Sequence, residues 1–252
     1  VRGLYQAQSG IAPAARGTAT HQQLARSHGA TLLDRTPVRR IRDVGGEVEV
    51  HTDGGVFRCA RLVIAADAWT NDLLQHLGLQ LPLTITQEQV TYFASPHFGD
   101  YAPDRFPVWI WMDEPCFYGF PLYGEQAVKV AQDVGGREVT AQTRTFDPDP
   151  AILQRTEEFL LRHLPSALGP VHYSKTCLYT MTPDRDFVID RVPGHPHIAV
   201  GLGAAHGFKF ASVIGRMLAG LAGFGPVDAD LTPFAIDRAI LLEKNPARSF
   251  LI

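Results

Sequence analysis

The spacing of apolar residues divides this 252-residue chain into three blocks, each predicting a different mix of helix and strand. In the first, residues 1–75, THQQLARSHGA predicts a helix over His21–His28, with Leu24 and Ala25 on one face and Gly29 ending it. Short strands follow. Pro37–Ile41 and Glu47–His51 flank a Gly45-Gly46 turn, and Asp53-Gly54-Gly55 leads into Val56–Cys59. Val48 and Val50 alternate with Glu47, Glu49 and His51, the pattern of a half-buried strand. Leu62–Ala66 is a continuous apolar run, which predicts a strand covered on both faces.

The second block, 76–172, has longer strand signals, antiparallel in character, at Thr84–Ala94, Pro107–Met112, Cys116–Pro121 and Ala127–Gln132. A helix is signalled over Asp149–Leu164, with Asp149 as N-cap, Pro150 at the first helical position and Pro165 beyond its end. Ile152, Leu153, Phe159, Leu160 and Leu164 form its apolar stripe, so the block reads as a sheet with a covering helix. The third block, 173–252, returns to an α/β pattern. Phe187–Ile189 and His197–Val200 are short apolar strands, and Gly201, Gly203 and Gly207 lead into a helix facing the core through Phe210, Val213, Ile214, Met217, Leu218 and Leu221. The tail after Pro233 reads as a surface extension packed on the body.

Composition sharpens this picture only by exclusion. At 45% hydrophobic and 19% charged residues the chain suits one large domain or two small ones. A net charge of −3 gives no drive toward nucleic acid or anionic membrane, and no apolar run reaches the roughly 20 residues of a membrane span. Three widely spaced cysteines, Cys59, Cys116 and Cys177, with no CxxC, argue against a disulfide framework and against a metal site. With no signal-peptide pattern, they suggest a reducing cytoplasm.

The strongest local chemistry is the strand, glycine-rich turn and helix at 197–222, since glycines admit a ligand close to the backbone and a helix start favours negative charge. GLGAAHG departs from the G-x-G-x-x-G spacing of a dinucleotide site, so from the residues alone it is either a structural turn or a ligand contact. Cys177 taken alone reads as a small buried hydrophobe, Lys129 in Val128-Lys129-Val130 as a solvent-facing strand lysine, Tyr118 as a core aromatic and Lys209 as an exposed lysine.

SKTCLYTMTPDRDFVID (174–190), GAAHGFKF (203–210) and YGFP (118–121) together resemble the monomeric sarcosine oxidase and N-methyl amino-acid oxidase family of FAD-dependent oxidoreductases, the carboxy-terminal part of such a protein. The resemblance implies a flavoprotein amine oxidase that reduces oxygen to hydrogen peroxide. It implies that Cys177 tethers the flavin through a thioether. Lys129 lies over the reactive flavin nitrogen and stabilises superoxide, and Lys209 holds the substrate carboxylate. Ala205, His206, Gly207 and Phe208 meet the flavin ring, the Val38 backbone meets the adenine, and Tyr118 lines the substrate cavity. A small amine or amino acid is the implied partner.

The fold so implied is α+β to α/β: a glutathione-reductase-like FAD-binding domain without its amino-terminal βαβ unit (1–75 and 173–252), plus an antiparallel-sheet substrate domain (76–172). The family's G-x-G-x-x-G unit is not in this sequence, so the chain is expected to be inactive by itself and to hold FAD poorly. Two departures stand out: Asp133 where sarcosine-oxidising members have histidine, and Asp67 where glycine is usual near the cofactor phosphates. The alternatives are a non-catalytic module binding a small carboxylate or a partner protein, and a flavin dehydrogenase or glycine- or proline-type oxidase on the same fold.

Overall fold

The computed structural model describes residues 2–249. In chain order its elements are α1 (Ala14–Ser27), β1 (Val38–Asp43), β2 (Val48–Thr52), β3 (Gly55–Cys59), β4 (Leu62–Ile64), α2 (Thr70–Leu74), β5 (Thr84–Phe93), β6 (Trp109–Trp111), β7 (Phe117–Phe120), β8 (Val128–Gln132), β9 (Arg137–Glu138), α3 (Pro150–His163), β10 (Val171–Met181), β11 (Val188–Val192), β12 (His195–Leu202), α4 (Ala211–Leu221) and α5 (Ala239–Leu242). They form two compact units, one of residues 1–12 and 86–179 and the other of 13–85 and 180–252.

The first unit is built on a sheet of order β10-β5-β8-β7-β6, with β9 paired to β5. β5–β8, β7–β8 and β6–β7 run antiparallel. Alternation sends Phe93, Phe117, Val128 and Val130 to one face, where they are buried with Phe159 and Leu160 of α3. Phe159 lies parallel to Phe117 at 4.1 Å and to Trp109 at 5.8 Å between ring centroids. Gly119 allows this packing, because a Cβ there would run into the Trp109 ring. The start of α3 follows the expectation, with the Asp149 carboxylate accepting from Ala151 N at 2.8 Å and Pro150 at the first helical position.

The longest strand, β10, is not among the expected elements. Ser174, Lys175 and Thr176 break its hydrophobic alternation, and its odd-numbered residues 173–179 leave the core face altogether.

The second unit joins the β1-β2-β3 meander to a sheet of order β11-β12-β4, in which β11–β12 is antiparallel and β12–β4 parallel. Its core contains Ile41, Val48, Ile64, Leu74, Val188, Ile198, Val200, Leu202, Ile236 and Leu241. The last two belong to the tail, which is therefore part of the core rather than only a surface extension. α4 approaches β12 so closely that a Cβ on Gly201 would overlap the Leu218 side chain. It packs through Ile214, Met217, Leu218 and Leu221.

Four expectations need correction here. Phe210 and Val213 are exposed, so the core face of α4 is narrower than its sequence suggests. β4 is only three residues long and sits at the edge of its sheet with Val63 exposed, so it is not covered on both faces. α1 starts seven residues before His21, and none of its residues is fully buried. The strand expected at Phe187–Ile189 begins at Val188 and continues to Val192.

Candidate functional site

On the sheet face opposite α3 the same strands present a different set of residues. Tyr118 pairs with Ala131 and Phe120 with Lys129, while Tyr92 pairs with Lys129 from the other side. These positions, with Glu88 and Val90 further along β5, therefore share one face. β10 joins them through Tyr173, whose ring stacks on Tyr92 at 4.5 Å. Positions 175, 177 and 179 then follow on that side by alternation.

Lys129 is half-buried, with its ammonium 4.6 Å from the Phe120 ring centroid and 5.9 Å from that of Tyr118. Burial lowers its pKa, and the neighbouring Cys177 pulls the other way. The ring faces offer cation–π attraction but far less solvation than water. The solvent-facing reading of Lys129 therefore fails.

Cys177 is an exposed residue, which overturns the buried-hydrophobe reading. Cys59 and Cys116 are half-buried. Burial raises the Cys59 thiol, as suits an inert packing residue.

Tyr118 is half-buried and hydrogen-bonded to Tyr179. Burial pushes both phenols well above their ordinary value, and Cys177 and Asp133 add to it by charge repulsion of the phenolate. Both therefore remain protonated hydrogen-bonding groups throughout the neutral range. The sequence reading missed Tyr179 together with β10. Its signal was the run of alternating odd positions Tyr173, Lys175, Cys177 and Tyr179. Glu88 was also missed, because it stands between Gln87 and Gln89 in a strand that mixes polar and apolar residues throughout and so draws no notice locally.

The second unit holds the other expected contacts. After β12, Ala204 and Ala205 adopt left-handed φ of 43° and 73°, and His206 N closes the turn on Gly203 O at 3.0 Å. Left-handed alanines cost about 1–2 kcal/mol each, so the turn is held by its surroundings. A Cβ on Gly203 would press on the Gly207 backbone. His206 Nδ1 lies 2.8 Å from Ala204 O, and its ring packs on Phe187 at 4.9 Å.

Gly207 and Phe208 open the helical segment into α4, with Phe208 exposed beside Gly17 of α1. The exposed Lys209 donates to His206 O at 3.1 Å. Val38 opens β1, half-buried against the unit's core. Asp67 also has a left-handed φ, 43°, just after β4. Its side chain reaches solvent yet stands among dense protein atoms, and that desolvation raises its pKa, opposed in part by the Thr180 hydroxyl and the Ala68 backbone N–H.

The structure thus gathers Lys129, Cys177 and Tyr118 in one unit, and Val38, Ala205, His206, Gly207, Phe208 and Lys209 in the other. No described helix is long and apolar enough to cross a membrane, and no cluster of three or more metal-ligating side chains occurs among the described residues.

A family model described as DAO, FAD dependent oxidoreductase, matches residues 1–221. The monomeric sarcosine oxidase of Bacillus sp. (strain NS-129) is 30% identical over 94% of this chain and 62% of its own length. The N-methyl-L-tryptophan oxidase of Escherichia coli O81 (strain ED1a) is 30% identical over 94% of this chain and 63% of its own. Among solved structures, NikD, an unusual amino acid oxidase essential for nikkomycin biosynthesis, superposes with a TM-score of 0.76 at 27% identity, over 87% of this chain and 59% of that one. The chain therefore spans about three-fifths of the length of these relatives.

Proposed function

This chain belongs to the FAD dependent oxidoreductase (DAO) family, and from that premise we propose that it forms the substrate-facing and ring-facing part of an oxidase acting on a secondary amine of an amino acid. The observation that carries the reading is the single sheet face bearing an exposed Cys177, a desolvated Lys129 and the Tyr118–Tyr179 pair.

The residues fit FAD on structural grounds. The 203–207 turn keeps its backbone bare, with no room for a Cβ at Gly203 and small side chains at Ala204 and Ala205. In the other unit an exposed Cys177 and a desolvated Lys129 share one sheet face, and the cysteine is the group a tether would use. When bound, FAD supplies the two-electron acceptor that converts amine to imine and passes the electrons to oxygen, giving hydrogen peroxide.

The protein's own groups bind, orient and polarise. Cys177 would hold the ring through a thioether to its sulfur. Lys129, held in a poorly solvated place, offers positive charge where negative charge develops on oxygen, at no cost of reorganisation. Lys209 pairs with the substrate carboxylate through a charge-assisted hydrogen bond. The 205–208 turn and the Val38 backbone line the cofactor.

The test is to prepare the full-length protein with FAD and denature it in acid. Yellow colour that stays with the precipitate, and is lost in Cys177→Ser, supports the tether. Peroxide release with a panel of N-methyl amino acids and cyclic imino acids supports the oxidase. A protein that takes up no flavin and releases no peroxide, yet binds small carboxylates, would leave the non-catalytic module in its place.

A further inference from the structure

The tail beyond α4 grips residues 183–190 along their length. Ile236 N donates to Asp190 Oδ2 at 3.0 Å, and Ser249 N donates to Pro183 O at 2.8 Å. Between them stands Arg238, whose side chain is 13% exposed. Its Nε and Nη2 clamp the two Asp184 carboxylate oxygens at 2.8 Å each. Nη1 donates to Phe187 O at 3.0 Å and to Ala235 O at 3.1 Å, and Nη2 also donates to Asp186 O at 3.2 Å. These bonds use every N–H that a guanidinium has.

Phe187 carries this grip to the turn at 203–207. Its ring centroid lies 5.7 Å from that of Phe234 in the tail, 5.5 Å from Phe210 and 4.9 Å from His206. His206 Nδ1, 2.8 Å from Ala204 O, must carry a proton, because a carbonyl only accepts. The imidazole is thus held by an aromatic ring and, in turn, holds the carbonyl of a left-handed residue. Ala204 is fully buried at a φ of 43°, and Ala205 follows at 73°. Alanine does not favour this conformation by itself, so contacts from outside the turn must select it.

We propose that Arg238 is a positioning residue that acts through Phe187 and the His206 ring, so that the tail sets the shape of the turn that meets the flavin. The proposal rests on the reading of residues 205–208 as cofactor contacts. A lysine could not replace the arginine, since a single nitrogen cannot span Asp184, Asp186 and Phe187 together.

The test uses the full-length protein with FAD. It reads backbone amide exchange at residues 203–207 together with the visible circular dichroism of the flavin. Arg238→Lys and Phe187→Leu should each exchange about tenfold faster at the turn, the factor to which the strain of one left-handed alanine corresponds. Both should also shift the flavin signal. Phe187→Tyr keeps the ring and should match the parent in both readouts. Leu74→Ala opens a cavity in a different apolar cluster of the same unit, and should lower the melting temperature while leaving both readouts unchanged. Unchanged exchange in Arg238→Lys and Phe187→Leu, or equal acceleration in Leu74→Ala, overturns the proposal. Faster exchange at the turn with an unaltered flavin signal, or with no flavin bound, upholds the clasp and refutes the cofactor-facing reading instead, so the two failures are distinct.

Discussion

The two faces of the six-stranded sheet are encoded by alternate residues of the same strands, yet they have opposite chemistry. In β7 and β8, Phe117, Val128 and Val130 turn toward α3 and disappear into an aromatic core, while Tyr118, Phe120 and Lys129 turn the other way. One face gains stability by excluding water from well-packed rings. The other gives up some of that stability to keep an ammonium and a carboxylate half-dehydrated. Stability and chemistry are thus interleaved residue by residue, and single substitutions should separate them.

The largest effect on folding is expected on the α3 side. Phe159→Ala removes a ring that stacks on both Phe117 and Trp109 and should cost about 3–5 kcal/mol, read as a lowered denaturant midpoint. On the opposite face, Lys129→Met should reduce the oxygen-dependent rate on the order of 10²-fold. Its unfolding midpoint should be unchanged or higher, since the substitution removes a charge that burial disfavours. A Lys129→Met protein that unfolds as readily as Phe159→Ala would show that the two faces are not separable.

A third effect depends on pH. Burial first, and then the charge of Asp133, raises the Glu88 pKa, while the Thr86 hydroxyl and the two glycine N–H groups oppose the rise. The unfolded chain therefore releases this proton at lower pH than the native state does. Within that window the native state holds more protons, and stability falls as pH rises from the unfolded pKa through the folded one. Glu88→Gln should flatten that slope in denaturant titrations repeated across the range. The smallest effect is expected from Asp149→Ala, which removes the N-cap of α3. A loss of about 1 kcal/mol should come with unaltered peroxide release.

The same interleaving explains what could be read from the sequence. β8 and the start of α3 were legible because their signals are local: alternation in Val128-Lys129-Val130, and an aspartate followed by proline. β10 was not, because its outward residues serve the open face and carry no hydrophobic period. Cys177 and Lys129 drew notice through neighbouring motifs, but their surroundings depend on strands brought together from as far as 48 residues apart in sequence, the separation of Lys129 from Cys177. Glu88 was invisible for a related reason. Its meaning lies in two backbone N–H groups of a turn 47 and 48 residues away.

The parallel pairing of β4 with β12 has a consequence for how the chain is made. Ile64 leaves the ribosome roughly 140 residues ahead of the strand it must lie beside. At translation speeds of about 5–20 residues per second, that is a wait of about 7–28 seconds. Meanwhile residues 86–179 emerge as one uninterrupted stretch carrying nearly all of their own unit. The inserted unit can therefore finish folding during synthesis, while the unit that encloses it in sequence keeps an apolar strand waiting. Nascent-chain proteolysis should find the inner stretch protected first.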